Sequence, residues 1–307
     1  MKIAVVGSYG AGLTMRVPKA PDAGETISGG EFADLAGGKG SNQAVGAARL
    51  GAQVAFLTAV GDDDFGRSAQ ELWNREGIDA SEVLVSAKPT MVGFILVEPS
   101  GENRIAIAPG ALDELSAQTV EQFRAQIESA DIVVVSMEIP LDTVLAALRV
   151  GRESGTRTLL NPAPAQLLPD EAWSLIDVIT PNQTEAPVLF GLDDDHGFSD
   201  EQLVDMLRER TGGSAILTRG GRGALVAEHG TASTETIAPL AVDHVVDTSG
   251  AGDSFTAALA VAIAEGRSLV EAARFAAAAG AHAVTIAGVI PSLPTRDDLA
   301  VQTGTSE

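Results

Sequence analysis

The residues with the clearest chemical content are Asp247-Thr248-Ser249-Gly250-Ala251-Gly252-Asp253. Two carboxylates bracket a glycine-rich turn, and the apolar run from Ser254 to Ala264 follows at once. Glycine lets backbone approach a ligand closely. A helix beginning at Ala251 would aim free N–H groups and the positive end of its dipole at whatever lies in front of it. Asp253 would then stand in the first turn, beside an anion-binding site. A base next to an anion cradle suits phosphoryl transfer to an alcohol. One group takes the hydroxyl proton, and the donors stabilise charge on the moving phosphoryl.

Other segments offer partners for that chemistry. Gly37-Gly38-Lys39-Gly40-Ser41-Asn42 precedes a small-residue helix predicted over 40–50. A Walker A loop needs Ser or Thr directly after its lysine; Gly40 stands there, so the pattern fails. Lys39 and Asn42 still look aimed at a ligand, although a tight turn with an ordinary cap would explain the spacing equally well. Asn182 and Glu185 lie three apart after a strand predicted over 178–181, so one helical turn puts them on one face. They could hold a hydrated magnesium ion near phosphates, or they could simply form a capping box. Thr218-Arg219-Gly220-Gly221-Arg222-Gly223 reads either as a phosphate wrap or as a plain hairpin turn. Glu138 and Asn161 stand at the ends of two further strands, where open α/β sheets carry their ligands.

Two features lead elsewhere. Gly7-Ser8-Tyr9-Gly10-Ala11-Gly12 resembles a dinucleotide loop, but Pro18 and Pro21 deny the helix such a loop must open into. His196, His229, His244 and His282 show no metal-ligand spacing, and His282 reads as packed core in an alanine-rich helix.

The elements that must position these residues alternate. Strands are predicted over 3–6, 54–59, 132–136, 158–161, 178–181 and 215–218. Helices are predicted over 40–50, 65–76, 116–127, 141–153 and 202–211. Continuous apolar strands alternating with helices imply an α/β fold: a mainly parallel sheet covered on both faces. Two stretches break the rhythm. Leu13–Leu35 and Met91–Ala108 read as half-exposed antiparallel strands, the second pair joined by Pro99-Ser100-Gly101-Glu102. They predict a small antiparallel β lid. The organisation is then a core of 1–9, 36–87 and 109–307, with 10–35 and 88–108 inserted as the lid. The tail from Gln302 reads as frayed.

The bulk numbers bound the partners. The chain has 307 residues, 45% of them apolar, and a formal charge of −22. Such a surface repels phosphate backbones, so nucleic acid is not expected, and an anionic substrate must be held by local dipoles and a few placed cations. Absence of cysteine removes thiolate chemistry and fits a reducing cytoplasm. Met1–Val6 is too short for an export signal, and no later apolar run suits a membrane span.

Taken together, these pieces closely resemble the ribokinase family of carbohydrate kinases over nearly the whole chain. The match covers Pro21-x-x-Gly24-Glu25-Thr26, Gly37-Gly38-Lys39-Gly40-x-Asn42-Gln43-Ala44 and Gly61-Asp62-Asp63. It continues through Asn161-Pro162-Ala163-Pro164, Thr180-Pro181-Asn182-x-Thr184-Glu185-Ala186 and Asp247-Thr248-x-x-Ala251-Gly252-Asp253-x-Phe255. The resemblance implies a ribokinase-like fold and roles for the matching positions. Asp253 would be the base on a primary hydroxyl, and the N–H groups of Gly250, Ala251 and Gly252 the anion hole. Asn182 and Glu185 would serve the ATP phosphates and Mg2+, Glu185 through water. Thr218, Gly220 and Gly223 would line the nucleotide site. Gly38, Lys39, Asn42 and Glu138 would contact the sugar. A monovalent cation, usually K+, would sit at Asp247, Ser249, Ala283, Ile286, Gly288 and Ser292. The resemblance also implies a homodimer through lid strands.

One position departs from the family. Sugar-binding members carry Asn-x-Asp near the end of the first strand, and its aspartate grips two sugar hydroxyls. Here Gly10-Ala11-Gly12 stands in its place. Losing two charge-assisted bonds of roughly 1.5–3 kcal/mol each weakens ribose binding and opens space beside the sugar. The acceptor is therefore expected to be larger than ribose, differently hydroxylated or acidic. The rival readings are a nucleoside kinase of the same superfamily and a non-catalytic sugar or nucleotide sensor.

Overall fold

A computed structural model describes residues 1–100, 103–193 and 195–303. An eight-stranded sheet runs through its centre, in the order Thr234–Ile237, Ala224–Ala227, Ser214–Thr218, Val178–Ile179, Arg157–Asn161, Ile132–Ser136, Lys2–Val6, Gln53–Leu57. From Gln53–Leu57 to Ser214–Thr218 every pairing is parallel; the two strands beyond are added antiparallel.

The continuous apolar strands follow from burial on both faces. Ile3, Val5, Ile132, Val134 and Leu159 point into one core with the helices Lys39–Arg49, Ala251–Ala264 and Leu269–Ala283. Their alternating neighbours Ala4, Val6, Val133, Val135 and Leu160 point into the other, with the helices Leu141–Ser154 and Asp200–Thr211. The helix Ala251–Ala264 is apolar nearly all round because it lies inside the first core, not on its surface. Its N-terminus is thereby fixed at the carboxyl ends of the strands.

The segments expected as the lid form a separate four-stranded sheet, in the order Glu31–Gly37, Gly10–Arg16, Val92–Val97, Asn103–Ala108. Its outer pairings are antiparallel, and the seam between Gly10–Arg16 and Val92–Val97 is parallel. The strand Gly10–Arg16 leaves the core directly, which disposes of the dinucleotide loop. Thr26-Ile27-Ser28 lies in no strand, between Gly24 and Gly29, both with positive φ. Gly101 and Glu102 of the lid turn lie outside the described residues.

Several element boundaries differ from expectation. The strand predicted over 54–59 ends at Leu57; Ala59–Gly61 instead pairs with Leu84–Ser86. The helix predicted over 116–127 is interrupted at Phe123, which is buried, and splits into Ala117–Gln122 and Arg124–Glu128. The strand predicted over 178–181 stops at Ile179, since Pro181 has no N–H to donate and only its carbonyl joins the next strand, accepting from the Thr218 amide at 3.0 Å. His282 is half-buried, not core, because it sits in the last turn of Leu269–Ala283. Gln302 lies within the helix Arg296–Thr303, and the rest of the tail is outside the described residues. Among the described residues, no helix is long and apolar enough to cross a membrane.

Candidate active site

The helix Ala251–Ala264 starts where Gly250 takes a left-handed φ of 79°. A Cβ there would also lie 2.6 Å from Val289 Cγ1, so glycine is required twice over. No side chain caps this helix. Among the described residues, the N–H groups of Gly250 and Gly252 find no acceptor, and that of Ala251 makes only a 3.4 Å contact with the Thr248 carbonyl. Unmet donors at the end of a buried helix form a ready anion cradle.

Asp253 stands in the first turn and is 7% exposed. Its Oδ2 accepts from Asn42 Nδ2 at 2.8 Å, and its Oδ1 from Gln43 Nε2 at 3.1 Å. Burial pushes its carboxyl up, and Glu138 adds to this; Lys39 and the Asn42 and Gln43 amides pull the other way and do not win. A base raised in this way suits proton abstraction near neutral pH.

The helix Lys39–Arg49 brings those amides into place. It begins at Gly38, with φ 90°, where a Cβ would come 2.6 Å from Tyr9 Cα. Its first amide, on Lys39, donates to Glu138 Oε2 at 2.9 Å, and the Ser8 hydroxyl donates to the same oxygen. Glu138 therefore serves as the helix's anionic cap, and its charge also acts on Asp253 and Lys39. Burial opposes the charge on Lys39, but Asp253, Glu138 and Glu185 together raise its pKa. One ammonium thus balances three carboxylates.

A cleft of about 240 Å³ lies in front, lined by Lys39, Asp253, Gly250, Gly252, Glu185 and Thr218 among others. Asn182 lines it too, but its side chain and that of Glu185 cap each other's amides: Asn182 N–H to Glu185 Oε2, and Glu185 N–H to Asn182 Oδ1, each 2.8 Å. The capping arrangement is realised, and the second Glu185 oxygen is left for the cleft. Burial raises the Glu185 carboxyl, against the Asn182 amide and Lys39. No cluster of three or more acidic or histidine side chains able to chelate a metal exists among the described residues. This donor set suits a magnesium ion that keeps most of its waters and rides on phosphates. Gly220 and Gly223 stand on the turn beyond Thr218, which also closes the hairpin to Ala224–Ala227. A larger cavity, about 590 Å³, opens at the opposite end of the strands and contains none of these groups.

The six positions expected to hold a monovalent cation converge on one loop junction. Asp247 Oδ1 accepts from the Ser249 amide at 2.9 Å and Oδ2 from the Gly288 amide at 3.0 Å. Partial burial opposes ionisation of Asp247, but these amides hold its carboxyl below the usual range. The Ile286 amide donates to the Ala283 carbonyl at 3.3 Å, and buried Ser292 donates to the Val289 carbonyl. One ionised carboxylate beside backbone carbonyls is an all-oxygen donor set of the kind a large monovalent cation takes.

Gly10 and Gly12 differ in kind. A Cβ on Gly10 would strike Met91, 2.6 Å from Cε and 3.1 Å from Cγ. A Cβ on Gly12 would meet nothing nearer than the Leu35 carbonyl oxygen at 3.4 Å, and its φ is not positive. The backbone does not require glycine at position 12.

Other motif residues turn out structural. Asp63 caps the helix Asp64–Arg75 and ties down the Thr90 amide. Two residues at the site were given no role by the sequence reading, Ser8 and Gln43. The signal available for Gln43 was a second long polar side chain directly after Asn42, ahead of the small and apolar run Ala44–Ala48. Such a residue is buried at the cost of its hydrogen bonds unless it has partners.

The chain carries a buried carboxylate beside an uncapped helix N-terminus and a lysine, the groups that phosphoryl transfer to an alcohol needs. Its residues 1–296 match the model of the pfkB family carbohydrate kinases, and the chain belongs to that family. It is 39% identical over 297 residues to ribokinase of Haemophilus influenzae, covering 96% of each chain. The solved structure of Arabidopsis thaliana ribokinase complexed with ribose and ATP superposes with a TM-score of 0.91 at 30% identity, covering 99% of both chains. A nucleoside kinase from Burkholderia thailandensis in complex with inosine shares the fold, with a TM-score of 0.81 at 20% identity over 99% of this chain and 98% of that one.

Proposed function

We propose that this protein transfers the γ-phosphoryl of ATP to a primary hydroxyl of a small, neutral, sugar-like acceptor. The observation that carries the reading is Asp253, buried in the first turn of an uncapped helix and facing Lys39 across the cleft. The nucleotide lies between the loops of Asn182, Thr218 and Gly250, with Gly220 and Gly223 at its outer edge. The acceptor lies under the lid against Gly38, Lys39, Asn42 and Glu138, with Gly10 and Gly12 beside it. Asn42 Oδ1 is buried without a partner among the described residues, which supports a hydroxyl donor from the acceptor there.

The acceptor hydroxyl gives its proton to Asp253 as its oxygen forms a bond to the γ-phosphorus. The bond from that phosphorus to the β–γ bridging oxygen breaks in line, and ADP leaves with its electron pair. The amides of Gly250, Ala251 and Gly252 take the charge on the equatorial oxygens. Asp253 then releases the proton to solvent. Glu185 would hold a magnesium ion through water, and such an ion would supply positive charge against the phosphates. Asp247, Ser249, Ala283, Ile286, Gly288 and Ser292 would hold a monovalent cation, which would supply positive charge beside the anion hole.

Gly12 supplies no carboxylate for two vicinal hydroxyls, which argues for an acceptor other than ribose. Three carboxylates sharing Lys39 disfavour an acidic acceptor, since a fourth negative charge would find no counterion there. The lid carries exposed apolar side chains on both faces. Met15, Phe32 and Phe94 lie on one, and Leu35, Ile105 and Ile107 on the other. One face closes over the acceptor and the other suits a second copy, so a homodimer is expected. The test is ADP release with a panel of neutral sugars, polyols and sugar acids. Ribose as clearly the best acceptor overturns the specificity reading, and no turnover with any acceptor overturns the kinase.

A further inference from the structure

Asparagine and glutamine side chains form a buried chain behind the base. Asn161 Nδ2 donates to the Thr180 carbonyl at 3.3 Å. A carbonyl only accepts, so this bond sets the Asn161 amide with Oδ1 facing the other way. That oxygen accepts from Gln43 Nε2 at 2.9 Å. Gln43 must then present its NH2 end here, and the same nitrogen reaches Asp253 Oδ1 at 3.1 Å. Its two hydrogens serve two acceptors and neither is spare. Gln43 Oε1, buried at the other end, has no partner among the described residues. Relative exposures are 3% for Thr180, 8% for Asn161 and 1% for Gln43; Asn161 and Thr180 border the cleft, whereas Gln43 lies behind it.

An aspartate's last torsion is soft, and a lone carboxylate would rotate. Here Asn42 holds Oδ2 and Gln43 holds Oδ1, so the plane is pinned at both oxygens. The orientation is ultimately set by one backbone carbonyl, Thr180, just past the strand Val178–Ile179. It passes through Asn161 at the end of the strand Arg157–Asn161 and then through the helix Lys39–Arg49. Neither Gln43 nor Asn161 is needed to touch the acceptor for this to matter.

We propose that Gln43 and Asn161 are positioning residues for the phosphoryl transfer: they fix the plane of the Asp253 carboxylate and so the lone pair it offers to the acceptor alcohol. This rests on Asp253 being the base. The same donor favours the ionised carboxylate, within a field set by Lys39, Glu138 and Glu185. Losing it raises the proton affinity of Asp253 and moves the acid limb of activity upward.

The experiment compares pH profiles of kcat/KM, and KM for ATP, for the wild type and for Asp253→Asn, Gln43→Met and Gln43→Glu. Gln43→Met fills the same space without an N–H. It should leave KM for ATP within about two-fold, lower kcat about 10- to 100-fold, and move the acid limb up by about one pH unit. Gln43→Glu has the native shape and guards against misfolding of the first variant. Its carboxylate repels Asp253, so its limb should move further. Asn161→Leu combined with Gln43→Met should cost no more than the worse single change, because the two act as one chain. Wild-type kcat and an unmoved limb in both Gln43 variants overturn the proposal. Full activity in Asp253→Asn overturns the base assignment itself, whatever the Gln43 variants do.

Discussion

Asp253 Oδ2 and Asn42 Nδ2 lie 2.8 Å apart although 211 positions separate them in the chain. The bond joins the first turns of two helices that pack side by side in the same core, Lys39–Arg49 and Ala251–Ala264. Each helix brings its own device to the junction: a lysine on one, uncapped amides on the other. The proposed base is thus held by the packing of the core and not by a surface loop, which is how small errors in position are avoided.

Replacing Asp253 with Asn removes the proton acceptor and little else. Nucleotide affinity, measured by calorimetry, should stay within a few-fold of wild type. Single-turnover transfer should fall by about 10²–10⁴. Near-normal transfer would exclude Asp253 as the base.

Activity should rise with pH across an acid limb placed above the ordinary aspartate range. The raised carboxyl of Asp253 must lose its proton before it can accept one, so kcat/KM climbs as pH passes its folded-state pKa. Lys39 favours ionisation of both Asp253 and Glu185. In Lys39→Met the limb should therefore move to higher pH, alongside a loss of phosphate affinity. A limb that stays in place, or moves down, would contradict the charge balance described here.

Gly12 offers a gain-of-function test. An aspartate fits there without backbone strain, so Gly12→Asp should fold normally and improve ribose use by about 10-fold or more. Gly10→Ala is the contrast: its Cβ would press on Met91, costing about 1–3 kcal/mol of stability measured by denaturant titration. If both variants are equally stable and ribose use is unchanged, the two glycines do not differ as argued.

Gly252 sets stability against function. A Cβ there meets nothing within 4 Å, because the space in front of it is the cleft. Gly252→Ala should stabilise the helix by up to about 1 kcal/mol while lowering turnover, since the methyl group occupies the approach to the amides. Melting temperature and kcat should move in opposite directions.

Asp247 should confer dependence on monovalent cations. Asp247→Asn is expected to lose most of any activation by K+. The native carboxyl titrates below the usual range, so its contribution to stability is complete above the unfolded-state pKa and is lost as pH falls through the lower folded-state value. Unfolding curves of wild type and variant should therefore converge under acid conditions. Unchanged potassium activation in the variant would remove Asp247 from the cation site.

The sequence by itself determined whatever depends on a few neighbouring residues. The apolar strands of the parallel sheet were legible because burial on both faces leaves no polar alternation. The helix starting at Ala251 was legible because Gly250 and the apolar run after Asp253 impose it over a single turn. The lid hairpin of Val92–Val97 and Asn103–Ala108 was legible from its alternation and its turn. Only the tertiary structure decided what depends on which distant surfaces meet. The parallel seam inside the lid, the Glu138 cap on the Lys39 amide and the run from Thr180 through Asn161 and Gln43 to Asp253 all join segments far apart in the chain. Local sterics and short-range hydrogen bonds are written in consecutive residues. The direction of a buried amide such as Gln43 is set by partners that only the packed core brings within reach.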